Sequence, residues 1–235
     1  MGGWLVGDNE TPDRLFRYDR DMKRLADVPM RWEVDDLEAL APTSDGALWV
    51  VGSQSANKDG KVRPSRERIA RLSQRLITPD LTACGPCVAA RGVAPNRGGL
   101  NVEGAVDVGG KLWLGLRAPL VGGKALLVET DEGKASRFLE VDLGGAGIRE
   151  LVPWRGGVLA ITGPVDDTAA DHGLWWLATI ESAPVRLPVS LPPRTEGLAV
   201  ADDGQAIWVT DGDGKAGDKC EEPARWGRVT VPAPP

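Results

Sequence analysis

The sequence predicts an all-β fold, a β-propeller of about five four-stranded blades forming one domain over residues 1–235. Three observations carry this. One apolar strand motif recurs five times, a glycine hairpin turn precedes it in four of the five, and no stretch sustains a 3.6-residue apolar period, so helices should be few.

The recurring strand is Gly3–Asp8, Leu48–Ser53, Leu112–Arg117, Val158–Gly163 and Ile207–Gly212. Its second residues, Trp4, Trp49, Trp113, Leu159 and Trp208, are 45, 64, 46 and 49 residues apart. One propeller blade takes about 40–50 residues. The long gap therefore holds an insertion, and the Pro-, Gly- and Cys-rich residues 79–99 fit it.

A second element precedes four of these strands: Asp36–Ala41, Asn101–Val106, Ile148–Val152 and Arg194–Ala199. Asp45-Gly46, Gly109-Gly110, Gly156-Gly157 and Asp203-Gly204 lie between the two elements. Glycine tolerates positive φ, so each dipeptide closes a hairpin of two strands, a and b. Third strands, c, are read at Arg14–Tyr18, Arg68–Ser73, Lys124–Glu129, Gly173–Ala178 and Arg228–Val231. Fourth strands, d, are read at Lys23–Val28, Arg137–Leu143 and Val185–Val189. The first unit has no a strand and the last stops after c, so either a blade is incomplete or the gene extends upstream.

Composition agrees. Gly at 30 and Pro at 18 of 235 residues favour many short strands joined by tight turns. A net charge of −6 repels phosphate backbones, so nucleic acid is not an expected partner. No apolar run approaches the roughly 18 residues that cross a bilayer, so membrane insertion is not expected and a monomer is. The opening residues show no basic region followed by an apolar stretch, so no signal peptide is expected, and three Cys do not describe a disulfide scaffold, so the cytoplasm is the default compartment. The periplasm or secretion is the alternative if a signal peptide has been removed.

In an antiparallel hairpin the start of a lies beside the end of b. A turn centred between residues 45 and 46 sets Glu38 opposite Ser53, and one between 203 and 204 sets Glu196 opposite Asp211. The repeated Glu38, Glu103, Glu150 and Glu196 should thus gather at one end of the axis with Asp8, Asp36 and Asp211. Arg117, Lys58, Lys61, Arg63 and Lys124 should join them. Hard cations take several oxygen ligands, so Glu38, Glu103, Glu196 and Asp211 are candidate Ca²⁺ ligands. The five basic residues are candidates for a small polar or anionic molecule. The same Glu residues equally suit brackets that tie one blade to the next by hydrogen bonds and Arg pairs. Other uses of this face are a metal-dependent phosphoester or lactone hydrolase, and a protein-interaction platform using Trp32, Trp154 or Trp226.

Two motifs carry less. Cys84-Gly85-Pro86-Cys87 matches a redox tetrapeptide but sits in the insertion, so a local disulfide or inert thiols is the expectation. His172 is the single histidine and no Gly-x-Ser-x-Gly elbow accompanies it, so no serine triad is expected.

The stretch Gly52-Ser53-Gln54-Ser55, Lys58, Gly60-Lys61, Pro64, Arg66 and Arg68 resembles a bacterial propeller family, domain of unknown function 3616. Asn101–Gly104, Gly115–Leu120, Ile161–Pro164 and Glu196–Ala199 are similar to further parts of its pattern. The resemblance implies a propeller distantly similar to SdiA-regulated and esterase-like phytase propellers, and brings no established activity. Gln54 stands where that family has His, which speaks against proton transfer there.

Overall fold

The computed structural model describes residues 3–166, 172–216, 219–222 and 224–234. Five antiparallel sheets stand in a ring as a five-bladed β-propeller. Blade 1 holds β1 (Gly3–Val6), β2 (Arg14–Asp19) and β3 (Val28–Pro29). Blade 2 holds β4 (Leu37–Pro42), β5 (Leu48–Gly52), β6 (Ile69–Arg71) and β7 (Arg75–Ile77). After the insertion come β8 (Asn101–Val108), β9 (Lys111–Ala118), β10 (Ala125–Asp131) and β11 (Lys134–Val141) of blade 3. Blade 4 holds β12 (Gly147–Trp154), β13 (Gly157–Gly163), β14 (Gly173–Leu177) and β15 (Val185–Arg186). Blade 5 starts with β16 (Thr195–Val200) and β17 (Gln205–Thr210). A separate hairpin, β18 (Asp213–Ala216) with β19 (Lys219–Glu222), leads to β20 (Trp226–Thr230), which pairs with β17.

The expected a–b–c–d order holds in blades 2, 3 and 4, while among the described residues blade 1 shows no a strand and blade 5 no d strand. The first strands β4, β8, β12 and β16 contact one another in succession and form the inner wall. The b strands β9 and β13 are buried along almost their whole length because each is covered by a blade on both faces. The shortest d strands, such as β7, are not legible as strands in the sequence: three residues leave no room for an alternating pattern.

Apolar clusters fill four of the gaps between blades. Leu15, Leu37, Val50 and Ala70 join blades 1 and 2. Val51, Ile69, Leu114 and Leu126 join blades 2 and 3, with Leu100 and the insertion beneath them. Trp113, Leu127, Ile148 and Leu151 join blades 3 and 4. Trp154 and Trp176 meet edge to face, with centroids 5.8 Å apart, where Leu198 and Val231 of blade 5 close on blade 4.

The insertion carries a short helix, α1 (Gly85–Ala90), which has no helical period to read because six residues cannot show one. Cys84 caps it and forms a disulfide with Cys87, and both cysteines are buried.

Every inner strand departs from regular pairing near its start. The register shifts between Leu37 and Ala39, between Val102 and Gly104, between Ile148 and Glu150, and between Thr195 and Gly197. Each shift is a β-bulge, where one extra residue is left without a cross-strand partner and re-aimed. The four extra residues are Glu38, Glu103, Arg149 and Glu196.

Candidate functional site

The bulges decide which side chains share the axial end. Glu103, at 4% exposure, accepts hydrogen bonds from Asn101 Nδ2 at 2.8 Å, Arg117 Nη1 at 3.1 Å and Arg149 Nη1 at 2.5 Å. Arg149 also reaches Glu196 Oε1 at 3.2 Å. Arg149 therefore joins two carboxylates from the blades on either side of its own. Arg117 donates in addition to the carbonyls of Pro164 (3.2 Å) and Asp166 (2.7 Å), tying blade 3 to the loop after β13.

Glu38 completes the set on blade 2 and has no hydrogen-bond or ion-pair partner among the described residues. Burial raises its carboxyl well above the usual range; Glu103, Asp36 and Glu196 raise it further, while Arg149 opposes them. Burial and then Glu103 push Glu196 up to about 7, against the opposing pull of Arg149 and Arg117. Asp211 stands exposed at the rim, where partial enclosure and then Asp8 raise its carboxyl and Arg194 and Arg149 oppose them. The bulge carboxylates Glu38, Glu103 and Glu196 therefore outnumber Arg117 and Arg149, the arginines that pair within the ring.

Two expected pairings are corrected. Ser53 N–H donates to Asp36 O at 3.0 Å, and Asp211 N–H donates to Arg194 O at 3.0 Å, so Glu38 and Glu196 are not opposite Ser53 and Asp211. A period of two cannot reveal the extra residue of a bulge. Glu150 is also corrected. The blade 4 member of the ring is Arg149, because the bulge selects the position and not the residue type. Glu150 pairs in register with Ile161 and accepts the Leu151 N–H at 2.8 Å. Burial raises it well above the usual range, and no other charged group acts on it.

Beside the ring, Asp36 Oδ2 accepts from Ser53 Oγ (2.5 Å) and Ser55 Oγ (3.2 Å) and pairs with Arg66 Nη1 (3.1 Å). Gln54, buried at φ 58°, donates to the carbonyls of Gly52 (2.8 Å) and Arg66 (3.3 Å). The residues that carry the family resemblance thus fold the loop between β5 and β6 onto itself, and Gln54 acts there as a bracket.

The basic candidates scatter. Lys58, Lys61 and Arg63 are exposed on that same loop. Asn57 Oδ1 holds its tip by accepting the Asp59 and Lys61 N–H groups. A Cβ at Gly60 would lie 2.7 Å from the Gly92 carbonyl, so the loop rests on the insertion. Lys124 lies 4.0 Å from Glu140 on the outermost strand of blade 3 and does not join the ring. Among the described residues, no group of three or more His, Cys, Asp and Glu side chains is arranged to hold a metal ion. Among the described residues, no helix is long and apolar enough to cross a membrane.

No family model and no curated protein matches the chain. Solved structures do match. A protein of unknown function from Bacteroides caccae is 13% identical, with 87% of this chain and 81% of that chain covered and a TM-score of 0.40. The extracellular domain of a putative hybrid two component system from B. thetaiotaomicron is 11% identical, with 98% of this chain and 27% of that one covered and a TM-score of 0.45. An exo-β-1,3-galactanase from Phanerochaete chrysosporium is 8% identical, with 89% and 53% covered and a TM-score of 0.49. Identities this low carry no residue roles from those proteins to this one.

Proposed function

We propose that the axial end of the propeller binds a small polar ligand that presents hydrogen-bond donors or a positive charge to Glu38 and Glu196. The carrying observation is Glu38: a half-buried carboxylate at an inner-strand bulge, under the like charge of Glu103, Asp36 and Glu196, with no hydrogen-bond or ion-pair partner among the described residues. A partly enclosed carboxylate beside like charges gains from a hydrogen-bond donor or a cation, and a donor-bearing ligand supplies one. The arginines support this choice over an anion. The guanidinium groups of Arg149 and Arg117 already engage carboxylates, and Arg117 engages two carbonyls as well. The expectation of an anionic ligand rests on Lys58, Lys61, Arg63 and Lys124, which do not converge. Ca²⁺ would draw on the same carboxylates and is the second reading.

Thermal unfolding with L-arginine amide, then with Ca²⁺, separates the two. A ligand at 100 times its Kd adds about 2.7 kcal/mol to the folded state. Arginine amide is expected to raise the midpoint at pH 8 more than at pH 5.5, and to lose its effect in Glu38→Gln. A response to Ca²⁺ alone, reversed by EDTA, would replace this reading with the cation site. Silence from both probes at both pH values would end it.

A further inference from the structure

At the end of the blades away from the ring, the gap between blades 2 and 3 opens into a cavity of about 190 Å³. Its blade 2 wall is one cross-strand row. Trp49 on β5 stands opposite Arg71 on β6, and Arg71 stands opposite Arg75 on β7. Both guanidiniums lie over the Trp49 ring, with Cζ atoms 5.7 and 5.4 Å from its centroid. Blade 3 builds the same row with one change: Trp113 stands opposite Glu129, and Glu129 opposite Arg137. There Arg137 Cζ lies 5.1 Å from the Trp113 centroid, and Arg137 Nε donates to Glu129 Oε2 at 3.0 Å. Blade 2 has Arg71 where blade 3 has that carboxylate. The Nε atoms of Arg71 and Arg75 are both buried and have no hydrogen-bond acceptor among the described residues. Their outer nitrogens are held by carboxylates, Arg71 by Asp45 and Arg75 by Glu132.

We propose that this cavity binds a small organic monocarboxylate, whose carboxylate plays beside Arg71 and Arg75 the part that Glu129 plays beside Arg137. A buried donor without an acceptor is costly, and a guanidinium matches a carboxylate in shape and charge. Ile69, Ile77 and Leu112 also line the cavity, so an apolar body completes the ligand. Charge limits it to one negative group. Asp45, Asp107 and Glu132 share the lining and outnumber the two guanidiniums, which opposes a dianion. The side chains of Asp45 and Glu132 are 58% and 67% exposed, so water screens them from a single charge at the Nε atoms. Exposed pairs of this kind contribute little, so the guanidiniums are free to turn toward the ligand.

The probes are sodium butyrate, its neutral counterpart butyramide, and sodium sulfate. Each is titrated into the full chain at pH 6 while the arginine Nε–Hε resonances are followed by NMR. Arg71→Gln and Arg75→Gln assign the two signals. Butyrate is expected to move both signals and to saturate, with butyramide binding at least tenfold more weakly. Either variant should weaken butyrate at least tenfold, and Arg137→Gln, in the blade 3 row, should leave it unchanged. The parent chain decides the matter even where a variant fails to fold. A response to butyramide equal to that for butyrate would show that charge plays no part and overturn the proposal. Sulfate binding as tightly as butyrate would make this a general oxyanion site and overturn the monocarboxylate. Silence of both signals toward all three probes would refute the site.

Discussion

Blades 3 and 4 meet very differently from blades 5 and 1. Gly104 and Gly115 leave no Cβ where Ile148 and Leu151 press in; an added Cβ at Gly115 would stand 2.7 Å from Ile148 Cγ2 and 2.9 Å from Leu151 Cδ1. Trp113 is enclosed beside them at 2% exposure, and Glu103 and Arg149 clasp the inner wall. At the other junction the described contacts are sparse. Arg228 Nη2 donates to Arg20 O at 3.1 Å, Asp8 and Asp211 carry like charge, and Trp226 is 47% exposed. A repeated strand motif therefore does not guarantee equal interfaces. Interdigitation needs small residues opposite large ones, and a complete inner strand to hold the charged side chains in register.

The largest expected effect on this contrast is Trp113→Ala, which should lower stability by about 3–5 kcal/mol through the cavity it leaves. Leu5→Ala on the exposed edge of β1 should change it by less than about 1 kcal/mol. Denaturant unfolding of the two variants measures both. Glu103→Ala comes next. It removes the carboxylate partner of Arg117 and half of the Arg149 pairing, and losing one partner of a buried pair costs about 3–5 kcal/mol. The same unfolding experiment, repeated on Glu103→Gln, tells charge loss from packing loss. Gly115→Ala should cost about 1–3 kcal/mol by overpacking the site filled by Ile148 and Leu151.

A further effect is a dependence on pH. Glu196 is raised to about 7 in the folded chain, above its ordinary 4.5, so the folded state holds the proton more tightly than the unfolded state between those values. Its contribution to stability is full below about 4.5 and is lost as pH rises through about 7. Glu38, also raised, acts in the same direction. The unfolding midpoint should fall from pH 5 to pH 8, and Glu196→Gln should flatten that fall. A midpoint that rises over the same range in the parent chain would show that Arg149 dominates Glu196 instead.

Much of this architecture is legible in the amino-acid sequence. The b strands and their Asp-Gly and Gly-Gly turns announce themselves, because continuous apolar runs and positive φ leave traces in residue type. Gly46, Gly109, Gly110, Gly156 and Gly204 all take positive φ. The bulges leave no such trace. Glu38, Glu103 and Glu196 are legible as repeated residues, but Arg149 is hidden behind Glu150, since matching by residue type slides the fourth repeat by one position. The convergence of Arg117 on Glu103 is within reach, as both lie near the ends of one hairpin. Lys124 is not separable from the site by sequence, because distance from the axis depends on which strand follows it. Asp45 with Arg71 inside blade 2, and Arg75 with Glu132 between blades 2 and 3, form at the opposite end of the blades through contacts between residues far apart in the chain.

The most direct measurement is native hydrogen exchange on the protein alone, comparing β1 with β9. The Gly3–Val6 amides that do not pair with β2 should exchange orders of magnitude faster than those of Lys111–Ala118, through local opening that leaves the other blades intact. Equal protection of the two strands at low protein concentration would contradict the contrast between the two junctions.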